Sequence, residues 1–255
     1  MIKFFRRIRQ NLLAENKFSK YLVYALGEII LVVIGILIAV SINNSNQKRI
    51  EKEKEQAYLI GLKREFQISK NKLAKLIEVN KHSYEGAKKI MGYIGHETAL
   101  PTERQFSDLL YNSFAFDVAF NPNNSLLNEM ISSGGLKGIS NTELRIHLTN
   151  WISTLEDISK QEIDLGKQRE RILDIFRANK HSIKTILDNT GVSAELALPG
   201  NKYNVSNLEL LNSLTFENNM LIFILTGYAT EQAHYNPLMN DIDIILGLIE
   251  TEINE

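Results

Sequence analysis

YLVYALGEIILVVIGILIAVSI, residues 21–42, is a run of 22 residues with a single charge, Glu28. As a helix rising about 1.5 Å per residue it is roughly 33 Å long, enough for a bilayer core of about 30 Å. Its Ile, Leu and Val content favours strands in water, but in lipid a helix satisfies every backbone group within the segment. Asn43, Asn44, Ser45, Asn46 and Gln47 mark the return to water. Ahead of the run, Lys3, Arg6, Arg7, Arg9, Lys17 and Lys20 stand against Glu15, a net +5, whereas residues 43–255 hold 23 basic and 28 acidic residues, a net −5. The positive-inside rule therefore expects a basic cytoplasmic segment (1–20), a transmembrane helix (21–42) and a periplasmic domain (43–255) of an inner-membrane protein. A cleaved signal peptide is the alternative, with Ala39-Val40-Ser41 as a small-x-small site; the long basic region and the full-length span argue against it.

Two features inside the span single out residues. Gly27, Leu31, Gly35 and Ala39 recur every four residues and share a helix face, and Gly35-x-x-x-Ala39 is a small-x-x-x-small pair that lets another helix approach closely. The simpler reading is that Gly is frequent in membrane helices. Glu28, about 12 Å beyond Lys20 along a helix, is costly in lipid and so a candidate functional residue; snorkelling or protonation is the bland reading. Gly27, Glu28, Gly35 and Ala39 are thus the candidate membrane-helix interaction face.

Beyond the span the pattern is helical. KRIEKEKE (48–55) has four basic residues offset by three acidic ones, a solvated helix surface rather than a nucleic-acid patch. Leu59, Leu62, Phe66, Leu73, Ile77, Tyr84, Ala87, Met91 and Ile94 form a 3/4-spaced seam interrupted by Ser69 and Asn80, which predicts a helix from about Lys48 to Tyr93 after a polar break. Short helices are expected at Thr102–Tyr111 and Ser125–Ser132, with an extended stretch at Phe114–Phe120. Ser140-Asn141-Thr142-Glu143 reads as a capping box. It opens a second long helix, to about Asp188, whose seam runs from Leu144 through Leu148, Trp151, Leu155, Ile158, Leu165, Ile172, Phe176 and Ile183 to Ile186. Glu162, Arg169 and Asn179 occupy seam positions, as candidates for fixing register or lining a ligand cavity. A last block, Leu208–Glu252, is expected to bury Met220–Leu225 all round, to use a seam of Leu221, Leu225, Tyr228, Tyr235, Met239, Ile242, Leu246 and Ile249, and to kink or divide at Pro237. The fold class is all-α: one transmembrane helix followed by an antiparallel bundle of long helices.

The 255 residues are 44% hydrophobic and 23% charged, which excludes a disordered chain. No Cys is present, which removes disulfides, thiol nucleophiles and thiolate metal sites. His82, His96, His147, His181 and His234 form no compact ligand motif, and no G-x-S-x-G, P-loop or dinucleotide fingerprint occurs. Asn43, Asn123 and Asn204 head N-x-S strings, a pattern common by chance. No enzyme, cofactor or metal is expected from these residues.

Met1–Arg9 together with Gly27–Asn44 resembles the basic start and GEIxLVxIGILIAxxINN string of the domain of unknown function 6090 family, found in Bacteroidota and especially flavobacteria. Ile131–Leu136, Ile139–Asn141 and Leu144-Arg145 are similar to the family's SSGxLxxIxNxxLR segment. The family usually places a Trp shortly after the double Asn; here Ser45 or Asn46 stands there. The resemblance implies a single-pass inner-membrane protein with a periplasmic helical domain, and implies no activity or functional residue. The reading that follows is a membrane-anchored interaction or scaffold module, whose partners are the lipid bilayer and a second copy or another inner-membrane protein. The rivals are a sensory or small-ligand-binding bundle working through a membrane partner and, behind it, an envelope enzyme.

Overall fold

The computed structural model describes residues 18–95, 100–178, 180–200, 203 and 205–253. Residues 1–17 of the basic segment, His96, Asn179 and Asn204 lie outside the described residues. Those described are helical, with no strand among them. The chain divides into two compact units, 1–56 and 57–255. Helix α1, Phe18–Met91, contributes to both.

In the first unit α1 carries the apolar run, and from Ile29 to Ile42 each large apolar side chain is at least 46% exposed. The helix is long and apolar enough to cross a membrane. The expected break at 43–47 does not occur. No Gly or Pro lies between Gly35 and Gly61. The polar side chains there bond along the helix instead, Gln47 to Glu51 at 3.0 Å and Arg49 to Asn46 at 3.2 Å.

The second unit is a helical bundle. After α1 come α2 (Glu103–Phe114), α3 (Ser125–Ser133), α4 (Thr142–Arg177), α5 (Ile183–Asn189), the short α6 (Val192–Glu195), α7 (Leu214–Thr230) and α8 (Asn236–Ile253). Thr102 and Gln105 close a capping box on α2. Gly134, with φ +73°, ends α3 in the left-handed conformation that glycine favours. Helices α1 and α8 run antiparallel: Lys63 pairs with Glu250 at 2.9 Å and Lys70 with Asp243 at 2.6 Å, one number rising as the other falls. Helix α4 packs on α7 and α8. The core follows the two long seams. Leu59, Leu62, Phe66, Leu73 and Ala87 of α1 are buried with Leu144, Leu148, Ile158 and Ile172 of α4. Phe66 meets Trp151 edge-on at 5.0 Å.

Side-chain hydrogen bonds move two expected boundaries. The N-cap of α4 is Asn141, not Ser140: its side chain accepts from the Leu144 amide at 2.9 Å and donates to Glu252 at 2.7 Å. Helix α4 stops at Arg177, and the expected run to Asp188 is cut. Ser182 caps α5 through the Thr185 amide, and Asn207 bonds both the Ser182 amide and its carbonyl, so the backbone there has partners other than a helix. Ile183, expected on the seam, is 42% exposed as a result. Residues 117–124 carry neither helix nor strand.

Candidate functional site

The polar interruptions of the seams meet in the bundle interior. Ser69 is fully buried and exchanges two bonds with Asn123, accepting from its amide at 2.9 Å and donating to its carbonyl at 3.2 Å. Asn80 donates to the Gly227 carbonyl at 2.9 Å. Glycine keeps that approach close, because a Cβ at 227 would sit a tight 3.2 Å from Tyr84 Cβ. One turn along, the Tyr84 hydroxyl donates to Glu231 at 2.9 Å, with both residues buried.

Glu231 belongs to a π-helical turn, Glu231–Tyr235, joining α7 to α8. This turn accommodates Pro237: Pro supplies no amide, and the wider turn lets the Asn236 amide reach the Glu231 carbonyl before it. The last block thus runs as α7, this π-helical turn and α8, with Pro237 in the first turn of α8. The same turn brings in Tyr235, fully buried, whose hydroxyl donates to Glu162 at 2.7 Å. Glu162 also accepts from the Phe120 amide at 2.8 Å. Burial raises the Glu162 carboxyl above its ordinary value, partly offset by these two bonds. Burial, and then the carboxylate partner, likewise push both tyrosine hydroxyls up, so they remain proton donors.

Arg169, two turns beyond Glu162, donates from Nε to the Phe114 carbonyl at 2.9 Å and pairs with Glu170 at 3.1 Å. Glu162 and Arg169 together fasten the two ends of the 114–120 segment to α4. Beside Arg169 lies a crevice of about 10 Å³ reached by Asn80, Ser113 and Asp117, room for about one water. Among the described residues no cluster of three His, Asp or Glu is placed to hold a metal. Of the sequence-derived seam residues the structure thus unites Glu162 and Arg169 on one face of α4. The tyrosine–carboxylate pairs were not foreseen: Tyr84 and Tyr235 read as seam apolar groups, and Pro237 was the one signal of an unusual turn.

On the apolar span, Gly35 and Ala39 are exposed and Gly27 and Glu28 half-buried. A Cβ at Gly27 or Gly35 would meet nothing within 4 Å.

Helix α7 departs most from expectation. Its buried face is Phe216, Met220, Phe223, Gly227 and Thr230. The expected seam lies on the other side: Leu221 is 48%, Leu225 68% and Tyr228 52% exposed, with Leu214 at 69% and Ile222 at 42%. Met220–Leu225 is not buried all round: α4 and the 57–91 stretch of α1 cover one side of α7, and on the other side Tyr228 meets Tyr84 edge-on at 6.2 Å while Leu214, Leu221 and Leu225 stay exposed among the described residues. Exposed side chains of α7 at 214, 218, 221, 225 and 228 follow 4-3-4-3 spacing, one face of the helix.

Against known proteins, a family model described as "Family of unknown function (DUF6090)" matches residues 28–163, just over half of the chain. No curated protein and no solved structure matches it.

Proposed function

The chain belongs to the DUF6090 family, a family of unknown function, and from that premise we propose that it is a membrane-anchored interaction module of the cell envelope. In this reading residues 21–42 cross the inner membrane with the basic N-terminus in the cytoplasm. Residues 43–255 form the periplasmic part, and its helices present a docking surface rather than a catalytic centre. The observation that carries the reading is the second apolar face of α7. An exposed run of Leu214, Leu221, Leu225 and Tyr228 on a domain with a complete core of its own is the mark of a protein–protein surface. The +5 segment before the span supports the orientation. The rival ligand-binding bundle draws on Glu162, Arg169 and Asn179, of which the first two are described. Both are engaged in protein hydrogen bonds, beside a crevice of water size.

Two measurements test this reading. Protease added to spheroplasts should digest residues 43–255 and spare the N-terminus; the reverse pattern overturns the orientation. Crosslinking of the full-length chain in its native membranes should give a stoichiometric product that Leu225→Glu abolishes. A chain that crosslinks to nothing, with or without that change, overturns the interaction role.

A further inference from the structure

We propose that the crevice beside Arg169 is a hydration site: it binds one ordered water, bonded to the Ser113 hydroxyl, that joins α1, α2 and α4 next to the 114–120 segment. The site does not depend on the interaction reading above.

Ser113 carries the strongest demand for such a partner. It is 1% exposed and lines the crevice, and its hydroxyl has no hydrogen-bond partner among the described residues. Helix α1 lies against it at Gly86, where a Cβ would collide with Ser113 Oγ, so the closest residue of α1 has no side chain to offer. A buried hydroxyl without a partner costs more free energy than an ordinary hydrogen bond returns, so a water within reach is drawn to it.

The other walls supply the remaining bonds. Asn80 uses Nδ2 on the Gly227 carbonyl, and no donor among the described residues reaches its Oδ1. Arg169 uses Nε on the Phe114 carbonyl and Nη1 on Glu170, which leaves Nη2. A buried water typically makes about three hydrogen bonds. Ser113, Asn80 and Arg169 offer that number from three different helices.

Size and charge select the occupant. A crevice of about 10 Å³ has room for one water and for no larger ligand. Arg169 repels a cation. An anion would face the Asp117 carboxylate, and the guanidinium is already paired with Glu170 at 3.1 Å. Empty cavities in proteins are lined by apolar groups, whereas this one presents the buried Ser83 and Ser113 hydroxyls and the Asn80 amide. A neutral water meets all of these conditions, accepting from Arg169 and donating to Asn80.

Ser107 provides the control. It stands on the same helix, is fully buried and also has a hydroxyl without a partner, but it does not line the crevice. Ser107→Ala therefore removes a dry hydroxyl and Ser113→Ala a hydrated one, with the same change in helix propensity. In thermal unfolding of the full-length chain in detergent, Ser107→Ala should melt at or above the native chain. Ser113→Ala should melt about 2–4 °C below Ser107→Ala, the loss of one hydrogen bond. Crystals of the full-length chain grown in bromide should show a peak within hydrogen-bond distance of Ser113 Oγ and Asn80 Oδ1, without anomalous signal. If Ser113→Ala melts with or above Ser107→Ala, the crevice gives Ser113 nothing and the proposal is overturned. A crevice without a peak overturns it too, and so does a bromide signal there, which would make it an anion site.

Discussion

Replacing Glu162 by Ala should destabilise the bundle through two specific donors. The Tyr235 hydroxyl and the Phe120 amide both point at Glu162 Oε1, at 2.7 and 2.8 Å. Tyr235 is fully buried, so water cannot replace the lost acceptor. An orphaned buried donor costs about 1–3 kcal/mol, so the pair costs about 2–6 kcal/mol. Against a domain stability of about 5–15 kcal/mol that is a large fraction. At about 2–4 °C per kcal/mol for a domain of this size, the melting temperature should fall by about 4–24 °C. Glu162→Gln retains an oxygen at the same reach and should stay within about 1 kcal/mol of the native chain, since a neutral bond replaces a charged one. The assay is thermal unfolding of the full chain in detergent, followed by the fluorescence of Trp151. This is the single tryptophan of the sequence, 2% exposed and packed edge-on to Phe66 and Phe120. A cycle with Tyr235→Phe isolates the hydroxyl: harmful in the native chain, it should be neutral or stabilising once Glu162 is Ala. If the Ala and Gln variants melt together, or the cycle shows no coupling, the bonds at Glu162 do not hold the 114–120 segment and the reasoning fails.

Because burial holds the Glu162 carboxyl above its ordinary 4.5, the folded state binds that proton more tightly than the unfolded state. This contribution to stability is fully present below pH 4.5 and is lost as pH rises through the raised folded value; in Glu162→Gln that component of the pH profile should vanish, and its persistence would assign it to another group. Gly227→Ala places a Cβ 3.2 Å from Tyr84 Cβ and should cost about 1–3 kcal/mol by overpacking, whereas Gly166→Ala in α4 meets nothing within 4 Å and should gain about 0.5–1 kcal/mol of helix propensity; equal effects in denaturant melts would show that α1 and α7 do not approach as described. Asn141→Ala removes the α4 cap and its bond to Glu252 and should cost about 0.5–2 kcal/mol, with Asn141→Asp falling between because it keeps the cap but faces a carboxylate; an Ala variant as stable as the native chain would place the cap elsewhere.

The seams of α1 and α4 were legible because their period matches the helix and their buried members are contiguous. Leu59, Leu62, Phe66 and Leu73 are all buried, as 3/4 spacing requires of a face turned inward. Glu162 and Arg169 were legible as polar residues in apolar places, but their role was not. Which backbone group a seam carboxylate accepts from depends on the path of residues 114–120, and no local pattern encodes that path. The end of α4 was missed for a similar reason: the decisive partner of Ser182 is Asn207, 25 residues away in the chain. The unbroken α1 shows the opposite limit. A polar string such as 43–47 signals the end of an apolar run without signalling the end of a helix.

Helix α7 shows what periodicity cannot decide. Between Leu214 and Thr230 there are two apolar stripes with helical spacing, Phe216-Met220-Phe223-Gly227-Thr230 and Leu214-Leu221-Leu225-Tyr228. Both satisfy the 3/4 rule, and the second is the richer in leucine, so a hydrophobicity argument selects it as the core. The structure buries the first. What distinguishes them is shape. Gly227 fits the close crossing over Asn80 and Tyr84, where a Cβ would lie 3.2 Å from its neighbour and a leucine would hold the helices apart, while Phe216 and Phe223 pack on Phe106 and Phe114 of α2. Among the described residues Leu214, Leu221 and Leu225 of the other stripe are exposed, and its Tyr228 meets Tyr84 edge-on. The richer leucine stripe therefore satisfies the period without being the core, and the crossing at Gly227 is what selects the other stripe.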